Sequence, residues 1–454
     1  MTATQTKNIA SSGNFEHRAL DETEFWRNVQ LFSQVGRDCF LDYKWQTAHT
    51  IASPAHLHAI LTRLSSDAFV SDVLRGLALS PMQVRITPYV LSLINWRDPV
   101  NCPIRRQYIP LGSEATFEHP MCSMDPLAEH AHAPIPSLVH RYLDRVLFLP
   151  VTVCPVYCQF CTRSRVVGPS TRRVIKDRIP SGHSQWRTAF TYVASHPEVE
   201  DVIVSGGDTF MLSGSQIMLI GNEIFKIPHV RRIRFATKGF AVLPMKVLSD
   251  TSWLDALVSV AERWRRDGRD FAVHTHINHP SEITAITKVA ADMLTSHGIT
   301  IRNQSVLLKH VNDSATIVRL LCLRLAFVNI HPYYLYQHDL VPGTDHLRTA
   351  IADAIAISKQ IQGWTAGFNT PRIVVDLPGG GGKRDITSYE FYDRRYGISV
   401  FSAATMDHRL CAYFDPLWSL DRSVSEEWLS APKPTSIVQM VLRHYGYDEA
   451  GMSE

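Results

Sequence analysis

From residue 146 onward, short runs rich in β-branched and aromatic residues alternate with stretches long enough for a helix. The runs are VLFLPVTV, DVIVSGGD, RRIRFAT, DFAVHTHIN, TIRNQSVLL, FVNIHPYYLY and PRIVVDLP. Repeated alternation of this kind is typical of parallel βα units, and it predicts a full or partial α/β barrel. In such a barrel the chemistry gathers where the strands end, so the polar residues that follow these runs are candidate site residues.

The chain before and after these runs has a different character. Residues 15–100 carry apolar residues at helical spacing, as in EFWRNVQLFSQV, and residues 101–140 contain six prolines, which indicates an extended connection. The sequence therefore predicts a disordered lead-in over 1–14 and a helical region with its connecting segment over 15–140. A barrel core follows over 141–370, and a C-terminal segment with a tail over 371–454.

Composition excludes several classes of protein. The 454 residues carry a formal net charge of +3 with both signs interspersed, which gives no case for binding nucleic acid or an acidic membrane surface. The N-terminal sequence is polar, and the most apolar stretches, such as residues 320–328, are far shorter than a membrane span. Only three of the eight cysteines cluster, unlike a disulfide framework. We expect a cytoplasmic protein.

The clustered cysteines form the motif C-P-V-Y-C-Q-F-C, in which Cys154, Cys158 and Cys161 directly follow the first predicted strand. A structural zinc site or a ferredoxin-like carrier would need a fourth ligand. Three thiolates on one [4Fe–4S] cluster instead leave one iron open to bind a small molecule. The spacing, with Phe160 before the last cysteine, resembles the radical S-adenosylmethionine superfamily. There the open iron holds the amino and carboxylate groups of S-adenosylmethionine.

A second motif is P-G-G-G-G-K at residues 378–383. Four glycines allow the backbone to approach a ligand closely, and Lys383 is then a candidate for a Schiff base with an aldehyde cofactor. A flexible loop with a solvated lysine is the alternative. A phosphate-binding P-loop is excluded, because Arg384 stands where that motif requires serine or threonine.

A third candidate is H-R-Y-L-D-R at residues 140–145. On one helical turn, Arg141 and Arg145 would present two guanidinium groups to an anion such as a cofactor phosphate. A solvated pair of arginines beside Asp144 is the alternative.

Eleven colinear stretches between about residue 25 and about residue 390 together resemble the lysine 2,3-aminomutase family of radical S-adenosylmethionine and pyridoxal-phosphate enzymes. They are FLDYKWQTAHTI, ITPYVLSLI, NCPIRRQYIP, HRYLDRVLFL, CPVYCQFCTRSR, DVIVSGGD, HTHINHPSEI, IRNQSVLL, PYYLYQHDL, HLRT and IVVDLPGGGGK. The resemblance implies an α/β fold with a partial (β/α)6-type radical S-adenosylmethionine barrel. It also implies a helical N-terminal region and a C-terminal segment that binds pyridoxal 5′-phosphate.

The resemblance also implies which residues bind the cofactors. Cys154, Cys158 and Cys161 would hold the [4Fe–4S] cluster, and Lys383 would carry pyridoxal phosphate. The phosphate of that cofactor would lie on Arg141 and Arg145, with Tyr142 beside its ring. The contacts to S-adenosylmethionine would come from Ser205, Gly206, Gly207, Asp208, His276 and Gln304.

For the substrate, the resemblance implies that Arg163 pairs with the α-carboxylate and that Asp339 and Asp376 clamp a distal cation. Two carboxylates in a closed site are costly unless they meet a cation, which favours a basic side chain. The implied reaction moves the α-amino group of L-lysine to Cβ, which makes the protein an isomerase and its product L-β-lysine. Arginine is an alternative substrate, because a guanidinium could engage both aspartates. A protein-bound lysine and a non-catalytic binding protein are further alternatives.

The family further implies an electron donor such as a reductase, flavodoxin or ferredoxin, and assembly as a dimer or tetramer. Two departures from the family pattern stand out. In RFATKGFAVLP, Lys238 and Gly239 replace an arginine and an apolar residue, and Ser314 replaces a cysteine that some members use for an intersubunit zinc. We therefore expect no such zinc.

Overall fold

The computed structural model describes residues 15–180 and 182–447, so the lead-in predicted over residues 1–14 lies outside the described part. Its centre is a nine-stranded sheet whose spatial order follows the chain. The strands are β1 (Leu138–Tyr142), β2 (Arg145–Phe148), β3 (Asp201–Val204), β4 (Arg232–Ala236), β5 (Asp270–Thr275), β6 (Thr300–Val306), β7 (Ile330–Tyr336), β8 (Arg372–Leu377) and β9 (Gly382–Asp385).

Strands β2 to β8 are all parallel, while β1 and β9 pair antiparallel at the two edges. Each run of the sequence pattern forms one of these seven parallel strands, one more than the six of the expected barrel type. Among the described residues no backbone pairing joins β1 to β9, so the barrel is partial. The predicted fold class is confirmed.

Helices connect the parallel strands and cover the outside of the sheet. They are α7 (His183–Ala194), α8 (Gly214–Phe225), α9 (Gly239–Val242), α10 (Met245–Ser249), α11 (Thr251–Arg266), α12 (Ala285–Ser296), α13 (Ala315–Phe327) and α14 (Ile351–Ile361). The sequence dictates α8 directly: Ser213 and Gln216 form a capping box, and Ile217, Ile220 and Ile224 form the buried face. Helix α11 packs closely against it, since the Trp264 indole donates to the carbonyl of Gly221 at 3.2 Å.

The predicted helical N-terminal region consists of short helices, namely α1 (Arg37–Leu41), α2 (Tyr43–Ala48), α3 (Pro54–Leu64), α4 (Asp67–Leu79), α5 (Pro88–Leu93) and α6 (Pro103–Tyr108). It shares one apolar core with the barrel helices. Thr87 donates to the Val242 carbonyl at 2.7 Å, and the Tyr89 hydroxyl lies 2.9 Å from that of Thr284. These buried polar contacts fix the region against the barrel.

The last part of the chain forms a small antiparallel sheet, β10 (Phe391–Asp393), β11 (Ile398–Ser402) and β12 (Leu410–Phe414), followed by α15 (Arg422–Ser430) and α16 (Thr435–His444). Its core is continuous with apolar residues of β8, such as Ile373 and Val375. The segment proposed over 371–454 thus begins with two strands of the barrel sheet. No helix within the described residues has the length and apolar character needed to cross a bilayer.

Candidate active site

A cavity of about 510 Å³ lies where the parallel strands end. Every site residue predicted from the sequence lines it: Arg141, Tyr142, Arg145, Cys154, Cys158, Cys161, Arg163, Ser205, Gly206, Gly207, Asp208, His276, Gln304, Asp339, Asp376 and Lys383. These residues span more than 240 positions of the chain, and the barrel brings them to one place. Large, mostly apolar cavities with a few convergent polar groups are typical ligand sites.

The three cysteines lie in the loop that follows β2, and contacts with the N-terminal region hold this loop. The amide of Tyr157 donates to the Arg85 carbonyl at 3.0 Å, and the amide of Gln159 donates to the Gln107 carbonyl at 3.0 Å. The Gln159 side chain donates to the Arg106 carbonyl at 2.8 Å. The region before the barrel therefore shapes the cysteine loop.

Burial raises the pKa of all three thiols, to about 12 for Cys158, although nearby Lys238 acts in the opposite direction. Thiols whose pKa is raised in this way favour their ionised form only when they meet positive charge, such as iron. Within residues 15–180 and 182–447, no three or more His, Cys, Asp or Glu side chains are arranged to hold a single metal ion. A [4Fe–4S] cluster does not need that arrangement, because each thiolate binds a different iron. Three thiols in one loop of the cavity wall suit a cluster that takes three protein ligands and leaves one iron open.

The glycine-rich end of β3 lies directly against the start of the cysteine loop. The amide of Gly207 donates to the Val151 carbonyl at 2.6 Å, and that of Asp208 donates to the Val153 carbonyl at 3.0 Å. The Asp208 carboxylate is bound within the protein, since it accepts from the Thr237 hydroxyl at 2.6 Å and from the Lys238 amide at 2.7 Å. The side chain of Asp208 therefore fixes the end of β4.

His276 directly follows β5, and Gln304 lies in the neighbouring strand β6; both line the cavity wall. The His276 ring stacks on Phe160, with centroids 5.8 Å apart, and burial lowers its pKa well below the usual value. Its buried Nε2 has no hydrogen-bond partner among the described residues. An unpaired buried nitrogen in a cavity wall fits a polar ligand such as S-adenosylmethionine.

The helical turn considered for residues 140–145 is wrong. The two arginines lie on a hairpin, with Arg141 in β1 and Arg145 in β2, and Tyr142 pairs with Arg145 across the strands. The two-residue connection Leu143–Asp144 and the β-branched and aromatic flanks favour this hairpin over a helix. Both guanidinium groups still converge on Tyr142, with their central carbons 5.0 Å and 3.7 Å from its ring centroid.

Lys383, in β9, faces Asp376 across the antiparallel β8–β9 pair, with its Nζ 2.9 Å from the carboxylate. Arg141 contacts the same carboxylate at 2.9 Å. Burial disfavours the charged form of each of these groups, but their mutual attraction acts against it. The Asp376 carboxylate raises the pKa of Lys383 above its usual range despite burial. Lys383 is thus part-buried in the cavity wall, with its side chain 25% exposed, and it is paired with Asp376, so the alternative of a solvated surface lysine is wrong.

The residues also fit a phosphorylated cofactor near Lys383. The Nη1 of Arg141 is buried and has no hydrogen-bond partner among the described residues, which leaves a cationic donor for an anion. The glycine run comes close to the connecting segment, since a Cβ at Gly380 would lie 2.6 Å from the His132 ring, and its φ is +93°. Only glycine fits this position without strain.

Asp339 follows β7 and differs from Asp376 in its surroundings. The Thr162 hydroxyl donates to one of its oxygens, and no cationic side chain of the described residues lies within ion-pair distance. Burial first, and the Asp376 charge second, raise the pKa of Asp339 to about 7. A cation that entered the cavity would stabilise the ionised form of the Asp339 carboxyl and lower its pKa.

Arg163 forms an ion pair that the sequence analysis missed. Glu129, from the proline-rich connection, accepts from its Nε at 3.0 Å and from its Nη2 at 2.7 Å. The two residues are 34 positions apart, and no motif includes Glu129. The sequence analysis also missed the contact of Thr162 with Asp339 and that of Lys238 with Asp208. It noted Lys238 only as a departure from the family pattern.

The fold and cavity define an α/β-barrel enzyme with its site at the carboxyl ends of the strands, and comparison with known proteins narrows this class. The chain is 36% identical to the L-lysine 2,3-aminomutase of Acetoanaerobium sticklandii over 359 residues, 79% of this chain and 81% of that protein. It is 32% identical to the L-lysine 2,3-aminomutase of Bacillus subtilis over 360 residues, 79% of this chain and 71% of that protein. A glutamate 2,3-aminomutase of Clostridioides difficile is 29% identical over 75% of each chain.

The chain therefore belongs to the L-lysine 2,3-aminomutase family, which confirms both the resemblance and the enzyme class of isomerase. No protein-family model matches it. Among solved structures, Streptococcus suis SuiB has a TM-score of 0.37 and 13% identity over 53% of this chain and 50% of its own, which is too distant to say more.

Proposed function

We propose that the protein moves the α-amino group of a basic amino acid from Cα to Cβ, and that its substrate is L-lysine, which becomes L-β-lysine. The observation that carries this proposal is Asp339, a part-buried carboxylate in the cavity with no cationic partner among the described residues. A distal ammonium would supply the missing charge. Membership of the family supports the reaction type, and several relatives are named for lysine.

The proposal includes three cofactors. Cys154, Cys158 and Cys161 would hold a [4Fe–4S] cluster, the ends of β3, β5 and β6 would bind S-adenosylmethionine, and Lys383 with Arg141, Tyr142 and Arg145 would hold pyridoxal 5′-phosphate. When bound, these groups would supply radical hydrogen abstraction at Cβ and an electron-accepting ring for the migrating nitrogen.

The protein's own residues would position the substrate and exclude water. Arg163 would bind the α-carboxylate and Asp339 the distal ammonium, which together fix both ends of the molecule. Asp376 holds a proton on Nζ of Lys383 through their 2.9 Å contact. Because a primary radical takes the hydrogen nearest to it, the main task of these residues is to present one C–H bond.

Arginine is the competing substrate. The Asp376 carboxylate contacts both Arg141 and Lys383, and one oxygen of Asp339 accepts from Thr162. This arrangement leaves few free carboxylate oxygens for the planar fork of a guanidinium and favours the compact ammonium of lysine. A lysine within a protein chain has no free α-carboxylate, so it would leave the proposed role of Arg163 without a partner.

The remaining parts of the proposal concern the protein's surroundings. We place the enzyme in the cytoplasm, as a dimer or tetramer, with a flavodoxin, ferredoxin or related reductase as the electron donor. Its interspersed surface charge and the small number of clustered cysteines support this setting.

Anaerobic reconstitution with iron, sulfide, pyridoxal phosphate, S-adenosylmethionine and a reductant tests the function. L-lysine and L-arginine are offered in parallel, and the β-amino acid products are separated by chromatography. We expect conversion of lysine, a much smaller rate with arginine, and no conversion by Cys161→Ser. Failure to convert either amino acid, with an intact cluster shown by its iron content and absorption spectrum, would reject the mutase proposal.

A further inference from the structure

Glu129 contacts Arg163, which is a proposed substrate-binding residue. No role has so far been assigned to Glu129 itself. Its side chain is 7% exposed, and it binds Arg163 through two nitrogens. A buried carboxylate that binds a guanidinium in this bidentate geometry forms one of the stronger polar contacts in a protein. The pair lies in the wall of the cavity, where both residues face the space left for substrate.

The geometry of the pair leaves one edge of Arg163 free. Glu129 accepts from Nε and Nη2, whereas Nη1 makes no hydrogen bond within the described residues. The Arg163 side chain is 23% exposed and lines the cavity, so this free edge is accessible. An arginine guanidinium stays protonated in proteins, so Arg163 keeps its charge beside Glu129.

The loop that carries Glu129 is itself firmly held. Asp125 accepts from the amides of Glu129 and His130 at 3.0 Å and 2.8 Å. The Pro126 carbonyl accepts from the Gly379 amide at 2.9 Å, in the glycine run before Lys383. Arg165 lies 3.5 Å from Asp125. Such a fixed loop can hold an arginine in one orientation, which a flexible loop cannot do.

We propose that Glu129 is a positioning residue: it holds the Arg163 guanidinium by its Nε–Nη2 edge so that Nη1 is presented to the substrate's α-carboxylate. This inference rests on the proposed function and adds to it a residue outside every motif of the chain. An arginine with five donors on a flexible stem gains specificity when its orientation is fixed before the ligand arrives. Glu129 would thus act on substrate affinity without touching the substrate.

The test compares Glu129→Gln with Glu114→Gln. Glu114 is a matched control, because it also forms a bidentate pair with a buried arginine, Arg105, at 2.8 Å and 2.8 Å, but it does not line the cavity. Each reconstituted variant is titrated calorimetrically without reductant, with L-lysine and with pentane-1,5-diamine, which lacks the α-carboxylate.

For Glu129→Gln we expect the Kd of L-lysine to rise about tenfold or more, because a charge-assisted hydrogen bond to a fixed donor is weakened. The Kd of the diamine should stay within about twofold, since Arg163 has no carboxylate to bind there. Glu114→Gln should leave both constants unchanged. Thermal unfolding of both variants shows whether each remains folded at the temperature of titration.

An unchanged or tighter Kd for lysine in Glu129→Gln would overturn the inference, and a tighter one would mean that Glu129 competes with the substrate. Equal loss of affinity for lysine and diamine would assign Glu129 a purely structural role. These outcomes differ from failure of the proposed function, in which the wild-type enzyme itself converts no lysine.

Discussion

At the scale of single residues, the cavity holds two aspartates that are chemically unlike. Arg141 and Lys383 lower the pKa of Asp376 against the effect of burial, so it is ionised and already paired. Burial and the nearby Asp376 charge raise the pKa of Asp339 to about 7, while Thr162, Lys383 and Arg141 act to lower it. A substrate cation would therefore change the protonation of Asp339 more than that of Asp376.

Substrate binding should depend on pH through Asp339. A raised pKa means that the carboxyl is protonated below about pH 7, so the Kd of L-lysine should rise as pH falls through that value, by up to about tenfold per unit. Asp339→Asn should weaken binding and remove this dependence. Calorimetric titration between about pH 6 and about pH 8 measures both effects.

Reductive cleavage of S-adenosylmethionine serves as the control for Asp339→Asn, since this residue is placed at the substrate and not at the cluster. The cleavage rate should stay within about twofold of wild type. An unchanged pH profile of lysine binding in the variant, or equal loss of binding and cleavage, would mean that Asp339 has a different role.

Residue identity could be predicted from sequence where a motif or a colinear match marks it. The cysteines, Lys383 and the two aspartates are of this kind, and all line one cavity. The contacts of Glu129 with Arg163 and of Thr162 with Asp339 could not be predicted, because they join side chains 34 and 177 positions apart in the chain. Neither contact leaves a spacing pattern, and the first originates in a segment that looked like a simple connection.

At the scale of elements, strand ends supply the site and glycine allows them to approach each other. The end of β3 and the start of the cysteine loop run so close that a Cβ at Gly207 would lie 2.4 Å from the Val153 carbonyl oxygen. A real Cβ cannot occupy that position, and the obstacle is backbone rather than a movable side chain. The approach therefore links the two loops that would face S-adenosylmethionine and the cluster.

Gly207→Ala should displace the cysteine loop and reduce its capacity to hold a cluster. We expect less than about half the wild-type iron per chain after reconstitution, and a melting temperature lower by several degrees, since overpacking costs about 1–3 kcal/mol. Gly36→Ala is the control, because a Cβ there meets nothing within 4 Å. Full iron content in Gly207→Ala would show that the two loops can separate without loss of the site.

The elements themselves were largely predictable, because each of the seven strands has a run of β-branched or aromatic residues with turn residues after it. The hairpin at Arg141 and Arg145 was not, since a spacing of four fits a helical turn as well as two strands joined by a short turn. Strand pairing decided between them: Tyr142 pairs with Arg145 across the hairpin, and Arg145 in turn pairs with Asp201 of β3. A six-residue motif contains no information about the strands with which it will pair.

At the scale of the whole molecule, three parts of the chain meet at the cavity. The N-terminal region accepts hydrogen bonds from the cysteine loop, the barrel supplies the strand ends, and the C-terminal sheet supports the loop after β7. In the last contact the Tyr413 hydroxyl, from β12, donates to the His338 carbonyl at 2.7 Å, next to Asp339. The buried Tyr413 hydroxyl thus connects the C-terminal sheet to the loop that carries Asp339.

Tyr413→Phe should weaken both stability and substrate binding, because it removes a donor to His338 and an acceptor for the Gln337 side chain, 3.2 Å away. The free energy of unfolding should fall by about 1–3 kcal/mol, as for a buried polar group left without its partner. The Kd of L-lysine should rise several-fold, since Asp339 follows directly in the chain. Tyr396→Phe is the control, as its hydroxyl donates, among the described residues, to Glu427 alone, at 3.3 Å. Urea unfolding and calorimetry measure the two effects, and lost stability with unchanged lysine affinity would show that the C-terminal sheet supports the fold but not the site.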